Sequence, residues 1–325
     1  MLDPLWGWPP PVLDPAGPYA HSVTILAWAL FGMGLVVTTI IVAALWVAAK
    51  GPDRWRKRLG GERAIWIGGV AFPGVVLTGL LIWGLTLTAS LTEDITGEEM
   101  RVRVTGEMWW FRVEYLDADG NVVMADANEL HIPAGQPVVL ELESADVIHS
   151  FWVPNLSGKM DMIPGRTNLL RIQADEAGQF GGVCAEYCGG PHALMGFVTV
   201  THDAQEWRDW REARLTRLEA PAPGAPPGGD GIAASLDGRE LFMDSGCGAC
   251  HTVAGTEANG LTGPDLTHLA SRLSLGAGIL PNHRGTLIGW IADSQSIKPG
   301  NRMPSYDRLS AEELTAIAIW LEQQQ

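Results

Sequence analysis

The sequence predicts a multidomain membrane protein made of a two-helix transmembrane hairpin, an all-β sandwich and a small all-α domain. Three observations predict it: two charge-free apolar runs near the N-terminus, a middle region of short β-rich segments punctuated by turns, and helix-compatible segments after a Pro/Gly-rich stretch. A length of 325 residues allows two or three domains. The formal net charge of -15 argues against a nucleic-acid partner, because phosphate binding needs a dense Lys/Arg face and the one basic cluster, Lys50 to Arg63, is short.

Residues 1–21 carry no Lys or Arg and are expected to form an external N-terminal segment. Residues 22–92 hold the hairpin. Ser22 to Ala49 and Ala64 to Thr92 contain no charged residue, and each exceeds the roughly 20 residues that span a bilayer core. Buried core helices of that length would carry a charged face. Pro73 sits near the start of the second run, where neighbouring helices and local adjustment satisfy the freed backbone groups. Between the runs lie Lys50, Arg54, Arg56, Lys57, Arg58 and Arg63 against Asp53 and Glu62, so this loop is expected on the cytoplasmic side and both termini outside. No cleavable-leader pattern precedes the first run; either a leader has been removed or the first span serves as the signal.

Residues 93–219 read as the sandwich with a terminal helix. "RVRVT" (101–105), "VVLELES" (138–144) and "GFVTVT" (196–201) are strand-like, with turns at 117–121, 133–137 and 163–166. Residues 203–220 switch to helical period, with Trp207, Trp210 and Leu215 on the apolar side, and are expected to pack on the sandwich. Residues 220–231, "APAPGAPPGGDG", read as an extended linker with few contacts across it. Residues 232–325 form the α domain, whose last helix opens on a capping box of Ser310 and Glu313.

The four cysteines form two tight pairs, each beside a histidine. In an exported region cysteines normally become structural disulfides, but this arithmetic favours cofactors. "CGACH" matches the covalent attachment site of c-type haem: Cys247 and Cys250 add to the vinyl groups and His251 reaches the iron. A redox dithiol would want an αβ setting, and a zinc site would want a further Cys pair. For the second axial position Met243 lies too near Cys247 to reach the opposite face, whereas Met303 follows a Pro/Gly loop. With "GPDL" (263–266), Arg272 and "KPGNRMP" (298–304), residues 236–323 resemble class I cytochrome c. His/Met ligation fills the iron, which fits electron carriage rather than oxygen binding. His268 and His283 read as surface or loop residues.

The second cluster is Cys184, Cys188, His192 and Met195, joined by His149 from upstream. Soft thiolates and imidazoles select copper or zinc, and geometry decides between them. The spacing C-x-E-x-C-x-x-x-H-x-x-M, with "DVIHS" (146–150) before it, resembles the dicopper CuA centre of subunit II of haem-copper cytochrome c oxidases. That family has two N-terminal spans and a cupredoxin sandwich; the fused cytochrome c domain resembles its caa-type branch. The resemblance implies that Cys184 and Cys188 bridge two coppers, one completed by His149 and Met195, the other by His192 and the backbone carbonyl of Glu186. It also implies that the Glu186 carboxylate faces subunit I, at a Mg²⁺ site.

"TGEMWWFRVEY" (105–115) is similar to the family's aromatic stretch, which puts Trp109 where electrons enter; Trp110 and Phe111 read equally as sandwich core. The family's proton-channel carboxylate is absent from the matching position, Trp66, and Glu62 is displaced from it. His131 and His202 fall outside the motif and read as ordinary loop or strand-end residues.

The implied function is that of an electron-transfer subunit of a membrane terminal oxidase, passing electrons from haem through copper to subunit I, where oxygen is reduced to water with proton translocation. The implied partners are subunits I and III, membrane lipid and an upstream donor, either a cytochrome c or a bc complex. The implied place is the bacterial inner membrane with both cofactor domains outside. A copper-containing nitric oxide reductase subunit and an exported copper carrier are the competing readings.

Overall fold

The structure is a computed structural model that describes residues 10–91, 99–216 and 235–324. Its contacts divide the chain into two compact units, His21–Thr96 and the combination of Met1–Ala20 with Gly97–Gln325.

The first unit contains two long apolar helical runs. Helix α1 covers Pro18–Lys50, and a continuous run covers Glu62–Leu91. At 1.5 Å rise per residue each run is about 45 Å or longer, enough to cross a hydrocarbon core of about 30 Å. Their side chains are exposed to the surroundings, as lipid-facing residues are. The short basic helix α2 (Asp53–Leu59) lies between them. The second run is not uniform: α3 (Glu62–Trp66) passes through a π-helical turn at Ile67–Ala71 into α4 (Phe72–Leu91). Pro73 accounts for the wide turn, since its ring removes one N–H and clashes with the carbonyl four residues earlier.

The second unit begins with two five-stranded sheets. One has the order β3-β2-β1-β5-β8, built from β1 (Met100–Glu107), β2 (Trp110–Leu116), β3 (Val122–Ala127), β5 (Val138–Ser144) and β8 (Asn168–Ile172). The other has the order β4-β10-β9-β6-β7, from β4 (Glu129–Pro133), β6 (His149–Trp152), β7 (Met160–Met162), β9 (Gly178–Cys184) and β10 (Gly196–His202). Alternation along β2 turns Phe111, Val113 and Tyr115 inward. Phe111, Phe151 and Phe197 meet at the centre with ring centroids 4.6 to 6.2 Å apart. Phe111 is therefore core. Trp110 points the other way, half-buried, with the Arg112 guanidinium 4.8 Å over its ring.

Helix α5 (Ala204–Leu215) starts at a capping box of Asp203 and Glu206 and packs Trp207 and Trp210 against the sandwich. Leu215 is 46% exposed, so the expected apolar stripe ends one turn early. Of the two histidines read as ordinary, His202 does end β10, but His131 is buried inside β4, its ring stacked on Trp210 at 4.4 Å and its Nδ1 2.8 Å from His202 Nε2.

The remaining elements are α6 (Gly238–Asp244), α7 (Arg284–Ala292), α8 (Ser294–Ile297), α9 (Ala311–Leu321) and a two-residue hairpin of β11 (Ser274–Leu275) and β12 (Leu280–Pro281). Ser310 and Glu313 form the expected capping box of α9. Helices α6 and α9 cross closely because Gly238 has no side chain: a Cβ there would lie 2.1 Å from the Ala316 carbonyl. The Pro/Gly segment 220–231 lies outside the described residues. The expectation of few contacts across it is corrected, because the sandwich and the α domain fall in one compact unit joined by hydrogen bonds and ion pairs.

Candidate metal centres

The first centre sits where β6, β9 and β10 converge. Cys184 closes β9, His149 opens β6, and the loop after Cys184 returns through a 3-10 turn (Gly190–Leu194) that carries His192, followed by Met195 immediately before β10. The backbone fixes this loop at its root: Cys184 N–H donates to the Met195 carbonyl at 3.0 Å and Ala185 N–H to the Ser150 carbonyl at 2.8 Å.

Around that root the donor atoms gather. The sulfurs of Cys184 and Cys188 are 3.7 Å apart; Cys184 Sγ lies 3.8 Å from His149 Nδ1 and 3.2 Å from the Glu186 carbonyl oxygen. Cys188 Sγ lies 3.5 Å from His192 Nδ1 and 3.8 Å from Met195 Sδ. All six expected ligand groups are thus brought together. No disulfide joins the cysteines, and His149, Cys184 and Cys188 are buried. Two thiolates, two imidazoles and a thioether form a soft set suited to copper, richer than the four donors of a structural zinc site.

Electrostatics favours uptake of cations. Burial raises the Cys184 thiol, but hydrogen bonds with His149 and with the Glu186 and Ser150 backbone outweigh it and hold this thiol low. Burial and the neighbouring Cys184 thiolate together push Cys188 up. One proton leaves readily, and the second leaves when a metal cation takes its place. The imidazole of His149 is aimed by Asp146: its Nε2–H donates to Asp146 Oδ1 at 2.9 Å, leaving Nδ1 free towards the sulfurs. Behind the ring stands Gly106, where a Cβ would lie 2.8 Å from the imidazole. The Glu186 carboxylate is half-exposed, 3.9 Å from Lys159 Nζ.

The second centre is an apolar cavity of about 250 Å³ in the α domain, lined by Cys247, Cys250, His251 and Met303. His251 Nδ1–H donates to the Pro264 carbonyl at 2.7 Å, which leaves Nε2 as the free lone pair. Gly263 makes room for this ring, since a Cβ there would lie 2.7 Å from it. The Met303 backbone is clamped: its N–H donates to Asn301 Oδ1 at 2.7 Å and its carbonyl accepts from Ser294 Oγ and Gln295 Nε2, both at 2.7 Å. Met243 packs on the helical core instead. His268 is buried in a turn and His283 caps α7, so His268 is a loop residue without being a surface one. The paired thiols, an imidazole with a free Nε2 and a methionine held by its backbone around an apolar cavity fit a covalent haem.

Trp109 joins the two centres. Its indole N–H donates to the Cys188 carbonyl at 2.9 Å, its ring rests on Gly189, and it also lines the apolar cavity with Met108, Trp110 and Asn128. Lys298 donates to the Trp109 carbonyl at 2.7 Å and to the Gly276 carbonyl at 3.0 Å. Burial pushes its ammonium down to about 7. No local signal marks this residue's place, since a lysine before Pro-Gly reads as a surface group. Asp146 could have been found, because it stands three residues before His149 within the quoted motif.

A family model described as cytochrome c oxidase subunit II, periplasmic domain, matches residues 111–201, and one described as cytochrome c matches residues 235–325. Cytochrome c oxidase subunit 2 of Alkalihalophilus pseudofirmus is 32% identical over 95% of this chain and 89% of its own length. The protein of that name from Bacillus subtilis is 29% identical over 95% and 90%. A crystal structure of the periplasmic domain of cytochrome oxidase subunit II from Bradyrhizobium japonicum is 28% identical, covers 35% of this chain and 92% of its own, and has a TM-score of 0.33.

Proposed function

The chain belongs to the cytochrome c oxidase subunit II family, and from that premise we propose that it takes electrons at one covalent haem c and hands them through a binuclear copper centre to subunit I, where oxygen is reduced to water with proton translocation. Its two matched domains imply copper and haem c, and the family implies a membrane-associated subunit working with other oxidase subunits. We propose further that both apolar runs cross the membrane, that subunit III and an upstream donor, a cytochrome c or a bc complex, are partners, and that Glu186 offers its carboxylate to Mg²⁺ against subunit I.

The observation that carries the reading is Trp109, which touches the copper loop through Cys188 and lines the haem cavity at the same time. Bound there, the haem and the copper pair supply one-electron carriers of high potential. The chain's own residues do the rest. Cys247 and Cys250 would hold the haem covalently, and His251 and Met303 would supply its protein ligands. Cys184, Cys188, His149, His192, Met195 and the Glu186 carbonyl would hold the coppers in a loop tied down by the Cys184 and Ala185 backbone hydrogen bonds, and the apolar lining of the haem cavity keeps water out. The chain itself has no oxygen-reducing role in this reading.

Metal analysis with electron paramagnetic resonance of the full-length chain tests it. Two coppers per covalent haem, with hyperfine structure from one electron shared over both, is the expected result. A single localised copper, or zinc, sinks the assignment. The relatives reported are oxidase subunits, so nothing favours the nitric oxide reductase or copper-carrier readings.

A further inference from the structure

Most polar contacts between the sandwich and the haem domain run one way, with acids and a carbonyl on the sandwich receiving cations and backbone N–H groups from the haem domain; two run the other way, Arg112 Nη2 donating to the Leu261 carbonyl at 2.6 Å and Gly196 N–H to the Ala277 carbonyl at 3.1 Å. Arg272 Nε donates to Asp126 Oδ1 at 2.9 Å, with both side chains buried, and Arg214 closes the other side of the same carboxylate at 3.3 Å. Glu129 Oε1, fully buried, accepts from the backbone of Leu273 at 2.5 Å and Ser274 at 3.3 Å. Lys298, 3% exposed, spans from its own Gly276 carbonyl to the Trp109 carbonyl. At the rim Arg302 reaches Asp146 Oδ2 at 3.1 Å.

Buried charges are stable only when their partners are complete, and a lysine ammonium is strongly hydrated when free. Such contacts therefore specify one orientation rather than a loose association. Lys298 holds Trp109 by its carbonyl while Cys188 holds it by its indole, so the residue is clamped from both domains. Arg272 is also tied within its own domain, donating to the Asp265 carbonyl while its own carbonyl accepts from Asn282 Nδ2 at 2.9 Å.

We propose that Arg272 and Lys298, received by Asp126 and the Trp109 carbonyl, form an intramolecular dock that seats the haem cavity on Trp109, and that they are positioning residues for haem-to-copper electron transfer. This rests on the electron-carrier reading above. Tunnelling falls exponentially with separation, so the dock sets the rate of a step that moves one electron and neither makes nor breaks a bond. The linker then tethers the domain, and the dock orients it.

The test compares the full-length, cofactor-loaded chain with Arg272→Gln, Lys298→Met, their combination, and the sandwich-side variant Glu129→Gln, which lies away from both sets of metal ligands. After flash reduction of the haem, transfer to copper is expected to slow by at least about tenfold in the double variant and to become dependent on solvent viscosity. The haem absorption bands and the copper resonance stay as they were, which a general loss of structure would not allow. An unchanged, viscosity-independent rate in the double variant overturns the dock. Should the arginine variant lose its haem, Lys298→Met and Glu129→Gln are read by the same criterion.

Failure of the electron-carrier reading is distinguishable, because the unaltered chain would then show no haem-to-copper transfer at all. The dock is still tested in that case by cutting at a protease site inserted within residues 220–231. The haem domain is expected to stay with the unaltered remainder and to leave the double variant. Release from both, or retention by both, overturns the proposal.

Discussion

The haem and copper regions each join a local run of candidate ligands to one distant residue, and they differ in what brings that distant residue in. Cys247, Cys250 and His251 lie within five consecutive residues, and only Met303 arrives from elsewhere. The copper ligands depend on sheet register: His149 is 35 positions before Cys184 and meets it because β6 pairs with β9, Phe151 opposite Cys184. The distant residue of the haem site comes on a loop of its own small domain, whereas that of the copper site arrives only once β6 has paired with β9. The largest expected effect exploits this. Cys188→Ala removes one of the two sulfurs proposed to bridge the coppers, so we expect full loss of the shared-electron copper signal, with haem content unchanged by pyridine haemochrome assay. Loss of haem in the same variant would show that the two regions do not mature independently.

The residue that arrives from elsewhere breaks the haem side more gently. Met303→Ala should leave the haem attached through Cys247 and Cys250 but lower its potential, because a thioether opposite imidazole raises it. Redox titration with the visible spectrum reads both. Unchanged ligation would remove Met303 from the site.

The two regions do share one device, a glycine behind the ligand imidazole. Gly106 stands behind His149 and Gly263 behind His251, with Cβ clearances of 2.8 and 2.7 Å. Alanine at either forces the ring or the backbone to move, at a cost of about 1–3 kcal/mol. Gly106→Ala should weaken copper retention and leave the haem spectrum alone; Gly263→Ala should do the reverse. Equal disturbance of both centres by either variant would show that the regions are not separable at this level.

The same contrast explains what the sequence made legible. The grouping of the candidate ligands could be read because metal chemistry favours particular residue types and spacings, as in the run from Cys184 to Met195. The two long apolar helices could be read because each run is charge-free over more than the roughly 20 residues a bilayer core requires. The π-helical turn before Pro73 required the backbone, although proline announced a disturbance. His131 was illegible: its burial comes from stacking on Trp210, brought by a helix more than seventy residues later, and no local pattern reports such a partner. The pairing of Arg272 with Asp126 was hidden for the same reason, since a Pro/Gly stretch signals separation and says nothing of surfaces that complement one another beyond it.

Trp109→Phe gives the smallest expected effect and the finest cut between the regions. It keeps an aromatic ring on Gly189 and keeps the backbone carbonyl that receives Lys298, so the domains should remain seated. It removes the indole N–H that reaches the Cys188 carbonyl, a bond contributing about 0.5–1.5 kcal/mol. We therefore expect a melting temperature lowered by no more than a few degrees, near-normal haem and copper spectra, and slower haem-to-copper transfer without the viscosity dependence of an undocked domain. Transfer at the normal rate would mean that the haem cavity reaches the copper loop without the indole, leaving Trp109 a spacer between two sites rather than the contact through which they communicate.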